Sequence, residues 1–197
     1  MVKRIFDFFF SFFVLIVLSP FFLIAAILIK AHDGGPVFYM APRVGKNGKN
    51  FRMFKFRTMI VNADKAGPSS TTSTDSRLTG SGKFLRKYKL DELPQMINVL
   101  IGQMSIVGPR PQIEWAVKEY SNEERKILSL KPGITDYASI YFSNEGELLA
   151  GSDDPDKTYM ELIHPVKMKL SLEYLNNHSL FIDLKIIFMT FTSIFKR

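Results

Sequence analysis

The chain has 197 residues, a net charge of +7 and no cysteine. That bounds one globular domain plus an apolar anchor and excludes thiolate catalysis, disulfides and cysteine-ligated zinc. The positive balance suits anionic lipid headgroups or phosphorylated substrates, and an anchored chain makes nucleic acid the weakest of the three partners.

Residues Phe8 to Ile29 carry no charge and would span about 33 Å as a helix. No small-x-small cleavage site follows them, so a cleaved signal peptide fits poorly. Lys3 and Arg4 precede this run and Lys30, Arg43, Lys46 and Lys49 follow it, so both flanks read as cytoplasmic. Ser19-Pro20 lies near the middle, where proline removes a backbone donor and breaks the helix. The expectation is a re-entrant helix-break-helix at residues 1–32, with a domain of residues 33–197 on the cytoplasmic face of the inner membrane. A single-pass anchor with a kink, commoner on hydropathy alone, is the competing topology.

Val37 to Met59 predicts a β-hairpin turning at Asn47-Gly48. Period 2 sends Lys55, Arg57 and Met59 to one face and Phe54, Phe56 and Thr58 to the other, giving either a solvated face or a phosphate clamp. Ala63 to Gly82 is rich in Ser, Thr and Gly and predicts a loop or lid in which Asp75 and Arg77 are the notable charges.

Residues 83–111 set adjacent carboxylates, Asp91 and Glu92, among Lys83, Arg86, Lys87, Lys89 and Arg110. Such cations can hold the oxygens of a phosphorylated substrate while a carboxylate acts as nucleophile or holds a divalent cation. A helix start at Asp91, with Pro94 in its first turn, explains one carboxylate without chemistry. Helix is expected from Phe84 to about Val107, with Met96, Ile97, Leu100, Ile101 and Met104 forming a buried or membrane-facing stripe. Pro109 and Pro111 stiffen the backbone either side of Arg110, which suits phosphate binding or a structural turn.

Further on, Ser121-x-x-Glu124 is a capping box opening a short helix toward Leu130. Residues 131–135 predict a turn, and 137–142 a short strand or buried segment. Glu145 to Lys157 reads as an acidic surface loop; its Asp153, Asp154 and Asp156 lack the Gly and closing Glu of a calcium loop. Pro165 to about Asn176 predicts a helix. Leu180 to Phe195, apolar but broken by Asp183 and Lys185 and closed by Lys196-Arg197, predicts a helix lying on the bilayer or buried in the domain. The elements add up to an α+β, mainly α-helical fold with one small hairpin and amphipathic interfacial helices. Nucleotide-binding glycine loops, the serine-hydrolase elbow and the His-Glu-x-x-His motif are absent, and His32, His164 and His178 are isolated.

In order along the chain stand Lys3-Arg4-x-x-Asp7, Ser19-Pro20, Lys55-Phe56-Arg57-Thr58-Met59, Leu90-Asp91-Glu92-Leu93-Pro94-Gln95, residues 104–111 (MSIVGPRP) and residues 131–135 (KPGIT). With these the chain resembles the bacterial sugar transferases, the monotopic phosphoglycosyl transferases, over nearly its whole length. The resemblance implies transfer of a sugar 1-phosphate from a UDP-sugar to undecaprenyl phosphate with magnesium, releasing UMP and opening assembly of a surface glycan. It implies that Asp91 attacks the β-phosphate and that Glu92 assists through the metal or a proton, both being metal ligands. By the same resemblance Arg86 binds phosphate, Lys55 and Arg57 line a basic wall, and Arg110 holds the active-site helix or an anion. Ser19, Pro20, Pro109 and Pro111 are structural.

Two positions depart from the family pattern: Gln103 stands where many relatives carry an acid, and residues 136–139 (DYAS) replace a commoner Gly-Leu-Ala-Gln. The donor sugar stays open, with residues 136–164 the candidates to contact it, and a homodimer is allowed. A non-enzymatic assembly protein retaining the fold is the alternative class.

Overall fold

A computed structural model describes residues 1–63, 66 and 75–195, with side chains through residue 193. Half of the segment expected to be a loop or lid, residues 64, 65 and 67–74, therefore lies outside the described residues, as do Lys196 and Arg197.

Helix α1 (Val2–Val17) and α2 (Ser19–Asp33) meet at 61°. Pro20 has no N–H to offer the Ile16 carbonyl four residues back, and the Ser19 hydroxyl donates to that oxygen instead at 2.8 Å. Ser19-Pro20 thus breaks the helix while leaving no orphaned carbonyl there. Among the described residues no single helix is long and apolar enough to cross a membrane, though the bent pair taken together is. Phe9, Phe13, Leu23, Ile24 and Ile27 are exposed on it.

The pair is not a detached tether, because polar side chains near both of its ends grip the domain. Lys3 pairs with Asp183 at 2.6 Å. Buried Asp7 accepts from the Ser105 hydroxyl at 2.8 Å and the Ile106 N–H at 3.1 Å. At the far end Arg57 donates to Asp33 at 2.6 Å.

Strands β1 (Phe38–Val44) and β2 (Asn50–Phe56) form the expected antiparallel hairpin. Asn47 (φ 56°, ψ 29°) and Gly48 (φ 75°) both adopt the left-handed conformation that an Asn-Gly turn requires. Ala41 and Met53 face the main core with Val99, Met104 and Ile106, while Phe56 packs with Ala25, Ile29 and Leu85. One further backbone bond, from the Arg57 N–H to the Val37 carbonyl at 2.9 Å, continues the pairing past Phe56. Lys55 and Arg57 reach different partners, Glu92 and Asp33, so the two cations expected to work together do not.

Helix α3 (Gly80–Lys87) is capped by Thr79, whose hydroxyl accepts from the Gly82 N–H at 3.0 Å. Lys89 then turns left-handed (φ 54°), a tight turn covers Leu90–Glu92, and α4 runs over Gln95–Leu100. Asp91 makes no capping bond, and regular helix begins at Gln95 instead. Nor does helix persist to Val107. Arg4 donates to the carbonyls of Val99 (2.5 Å) and Leu100 (2.8 Å), Gly102 is left-handed (φ 88°), and α4 ends there. Of the expected stripe, Met96 is buried on α4 and Met104 beyond its end, whereas Ile101 is exposed.

Residues 105–107 form β3, parallel to β4 (Gly133–Thr135), so the turn expected at 131–135 is partly strand. A Cβ on Gly133 would lie 2.1 Å from the Gly108 nitrogen, so glycine is what lets these two chains touch. After β3 comes α5 (Glu114–Lys118), then a tight helical turn at Glu124–Ser129 opened by the reciprocal Ser121–Glu124 bonds (2.7 and 3.3 Å). Residues expected as a short strand or buried segment are helix α6 (Tyr137–Tyr141), opened by Asp136, which accepts from the Ser139 N–H at 2.6 Å. The acidic stretch contains two single-turn helices, α7 (Glu145–Leu148) and α8 (Pro155–Thr158).

Helices α9 (His164–Asn177) and α10 (Leu180–Phe195) close the chain. Asp183 is buried between Lys3 and the Tyr174 hydroxyl (2.5 Å), and Ile186 enters the core. Phe181, Leu184, Phe188 and Phe191 stay exposed. The fold is mainly helical with small paired strands, as expected from the sequence.

Candidate active site

Four elements converge on the carboxylate pair, and they treat its two members differently. Glu92 is clamped. Lys55, from β2, donates to its Oε1 at 2.9 Å, and the Arg110 guanidinium straddles both oxygens, 3.1 Å from Oε2 and closer still to Oε1. Burial pushes the Glu92 carboxyl up, but Arg110 and Lys55 together outweigh it and hold Glu92 well below the usual glutamate range. Arg110 is raised in turn, chiefly by Glu92. The two prolines and a bond from the Arg110 N–H to Asp136 (3.2 Å) fix its backbone.

Asp91 is the opposite case. It is 6 % exposed, yet its carboxylate makes no hydrogen bond or ion pair with any described residue. Burial, reinforced by Glu92, raises its pKa above the ordinary aspartate value, against the pull of Lys55, Arg86 and Arg110. A buried, unpaired carboxylate costs stability, and such groups concentrate where chemistry needs them. Arg86 projects from α3 within electrostatic range of Asp91; its Nε donates to the Thr58 hydroxyl at 3.0 Å.

The structure thus brings Lys55, Arg86, Asp91, Glu92 and Arg110 together. It does not bring Arg57, which is committed to Asp33 on α2. Lys83 and Lys87 stand exposed on α3, and Lys89 contributes to Glu92 through space. Among the described residues there is no group of three or more His, Cys, Asp or Glu able to hold a metal.

Arg43 joins the site unforeseen. It lies two positions from Ala41 and four from Tyr39, the residue paired with Lys55, and hence on the same hairpin face as Lys55. Burial and then Arg110 depress its guanidinium, Glu92 and Tyr159 lie within reach, and its hydrogen bond goes to the Pro42 carbonyl at 2.7 Å. Strand alternation offered the signal, but the sequence reading used Arg43 only as a flanking charge. Gln95, within the acidic motif, is completely buried with neither amide atom bonded.

Fixed cations around one restrained and one unrestrained carboxylate can screen a diphosphate while the free carboxylate attacks phosphorus. Comparison with known proteins gives the family. The family model described as "Bacterial sugar transferase" matches residues 1–197. The exopolysaccharide production protein ExoY of Sinorhizobium fredii is 36% identical, covering 98% of this chain and 84% of the relative. An undecaprenyl-phosphate glucose phosphotransferase of Komagataeibacter xylinus is 38% identical over 95% of this chain. A UDP-N-acetylgalactosamine-undecaprenyl-phosphate N-acetylgalactosaminephosphotransferase of Aeromonas hydrophila is 36% identical over 89%. The chain spans only 35% and 39% of those two longer proteins. It belongs to the bacterial sugar transferase family.

Proposed function

We propose that this protein transfers a sugar 1-phosphate from a UDP-sugar to undecaprenyl phosphate at the cytoplasmic face of the inner membrane, as the first membrane step of surface-glycan assembly. The observation that carries this reading is the asymmetry of the acidic pair: Asp91 is buried and unpaired, while Glu92 is held ionised by Lys55 and Arg110.

An Asp91 oxygen attacks the β-phosphorus of the donor. The bond from that phosphorus to the oxygen bridging the α-phosphate breaks, and UMP leaves with the electron pair. An oxygen of the lipid phosphate then attacks the phosphorus of the aspartyl ester and returns Asp91 as the carboxylate. Arg86, Lys55, Arg110 and Arg43 face the negative charge that develops on the phosphoryl oxygens. When the diphosphate arrives it competes with Glu92 for Lys55 and Arg110, which frees Glu92.

Magnesium is commonly held by one or two carboxylates plus substrate phosphates, and the residues present fit that mode: Asp91 and Glu92 would be its protein ligands. When bound it would supply charge neutralisation of the diphosphate.

A re-entrant helix pair suits this chemistry. The start of α1 and the end of α2 are both tied to one domain, and the pair between them is bent with an apolar exposed surface. The exposed face of α10 would lie at the headgroup level, where a polyprenyl phosphate keeps its charged end. The test is UMP release from a panel of UDP-sugars with undecaprenyl phosphate. One donor should support turnover, and Asp91→Asn should lower it at least about 10³-fold. Unchanged turnover in Asp91→Asn, or no turnover with any donor, would reject the proposal, the latter favouring a non-enzymatic assembly role.

A further inference from the structure

Gln95 is the least explained buried group in the protein. It is 0 % exposed, and neither Nε2 nor Oε1 has a hydrogen-bond partner. A buried amide in that state requires an explanation. Its neighbour one turn on, Asn98, shows what a satisfied amide on this face looks like: Oδ1 accepts from the Phe54 N–H at 2.9 Å, and Nδ2 donates to the Arg52 carbonyl at 2.9 Å and to Gln103 at 2.8 Å. One turn back, Glu92 is held by Lys55 of the same strand. Gln95 sits between these two anchored positions.

Leu93 (φ −55°, ψ −35°) and Pro94 (φ −61°, ψ −15°) are both right-handed, so the chain keeps its hand from the tight turn at Leu90–Glu92 into α4. The backbone bonds here span three residues, from the Leu93 N–H to the Leu90 carbonyl and from the Met96 N–H to the Leu93 carbonyl, so a tight turn sets Gln95 about one turn after the Asp91–Glu92 pair, and side chains of a right-handed turn lean back over the preceding one. The Gln95 amide follows Asp91 by about one turn, and the Asp91 carboxylate likewise has no partner among the described residues.

We propose that Gln95 is a positioning residue of the transfer site, its Nε2–H donating to the Asp91 carboxylate as the donor binds and fixing the rotamer that attacks phosphorus. The inference rests on the aspartyl-intermediate reading above. In the free protein both groups stand unpartnered about one turn apart, and their joining as the donor binds takes a side-chain rotation. The second Asp91 oxygen is left to form the phosphoester bond.

Gln95→Met removes the amide at nearly constant length and leaves an apolar filler. Rapid mixing with radiolabelled UDP-sugar, without acceptor, measures the rate of protein labelling and the donor concentration at half-saturation. Expected is a labelling rate reduced roughly 10- to 100-fold with half-saturation changed by less than about two-fold. Thermal stability should be equal or higher, since a desolvated amide is gone. Gln95→Asn, whose amide is withdrawn by one methylene, should be slow as well.

A readout on the unaltered protein covers the case in which both variants misfold. Gln95, Gln103 and Gln112 are the only glutamines, so side-chain 15N labelling resolves them by NMR. The Gln95 amide protons should move on donor addition. Labelling of Gln95→Met at the wild-type rate, or unmoved Gln95 amide signals, would overturn the inference while leaving the aspartyl intermediate standing. Absence of label on the wild-type protein would overturn both.

Discussion

Gly82, at the third position of α3, is where a single methyl group should disable the site without touching a charged residue. A Cβ there would lie 1.9 Å from the Thr58 carbonyl oxygen, and ordinary contact begins at 3.4 Å, so α3 must retreat by about 1.5 Å. Alanine's better helix propensity returns at most about 1 kcal/mol. Against this stand roughly 1–3 kcal/mol of overpacking and about 1 kcal/mol if the Thr79 cap on the Gly82 N–H is lost. Repulsion wins, and Gly82→Ala should destabilise the protein by roughly 1–3 kcal/mol. Gly80 is the internal control, with nothing within 4 Å of its Cβ position; Gly80→Ala should be neutral or stabilising by up to about 1 kcal/mol. Function follows the same geometry. Arg86 is one turn beyond Gly82 and bonded to Thr58, so retreat of α3 withdraws it from Asp91. A displacement near 1 Å can cost on the order of 10²-fold in rate. Chemical unfolding in detergent micelles, with UMP release on the same samples, measures both effects. Equal stability and equal rates in the two alanine variants would refute the packing scheme.

Arg110→Met, Glu92→Gln and the double variant form a cycle whose coupling should be roughly 1–3 kcal/mol, read by chemical unfolding; additive effects would deny the clamp. The sign with pH follows from the depressed Glu92 carboxyl. The stability its ionised form contributes is full above the unfolded value near 4.5 and is lost as pH falls through the lower folded value. Removing Arg110 raises the folded value, so Arg110→Met should lose that contribution at neutral pH as well. Asp7→Ala orphans the buried Ile106 N–H and the Ser105 hydroxyl, at roughly 1–3 kcal/mol for each. It should release α1 from β3, seen as faster hydrogen exchange at Ile106; unchanged exchange would contradict the pin.

What was legible in the sequence was local. The Asn-Gly hairpin, the Ser121–Glu124 capping box, the Ser19-Pro20 break and the helix over Pro165 to Asn176 each rest on neighbouring residues that set their own backbone. The convergence of Lys55, Arg86 and Arg110 on Asp91 and Glu92 was legible through the ordered motifs rather than through periodicity. What failed was decided at a distance. The end of α4 is imposed by Arg4, some 95 residues earlier, and the parallel pairing of β3 with β4 depends on two glycines in contact. Arg57 was grouped with Lys55 by alternation, but Asp33, distant in sequence on α2, takes it. The helix at residues 137–141 was a local miss, because Asp136 followed by Ser139 is a capping pair that the apolar character of the segment obscured. The acidic surface reading missed Glu145, which pairs at 2.6 Å with Lys167, itself buried against Tyr159.

The decisive measurement is the mass of the protein itself after incubation with its UDP-sugar donor and no lipid acceptor, followed by peptide mapping. The intact chain should gain the mass of one sugar phosphate, the modified peptide should contain Asp91, and undecaprenyl phosphate should discharge it. Steady turnover by a protein that never gains that mass, or a modification mapped to any other side chain, would contradict the assignment of Asp91 as the group that carries the phosphosugar.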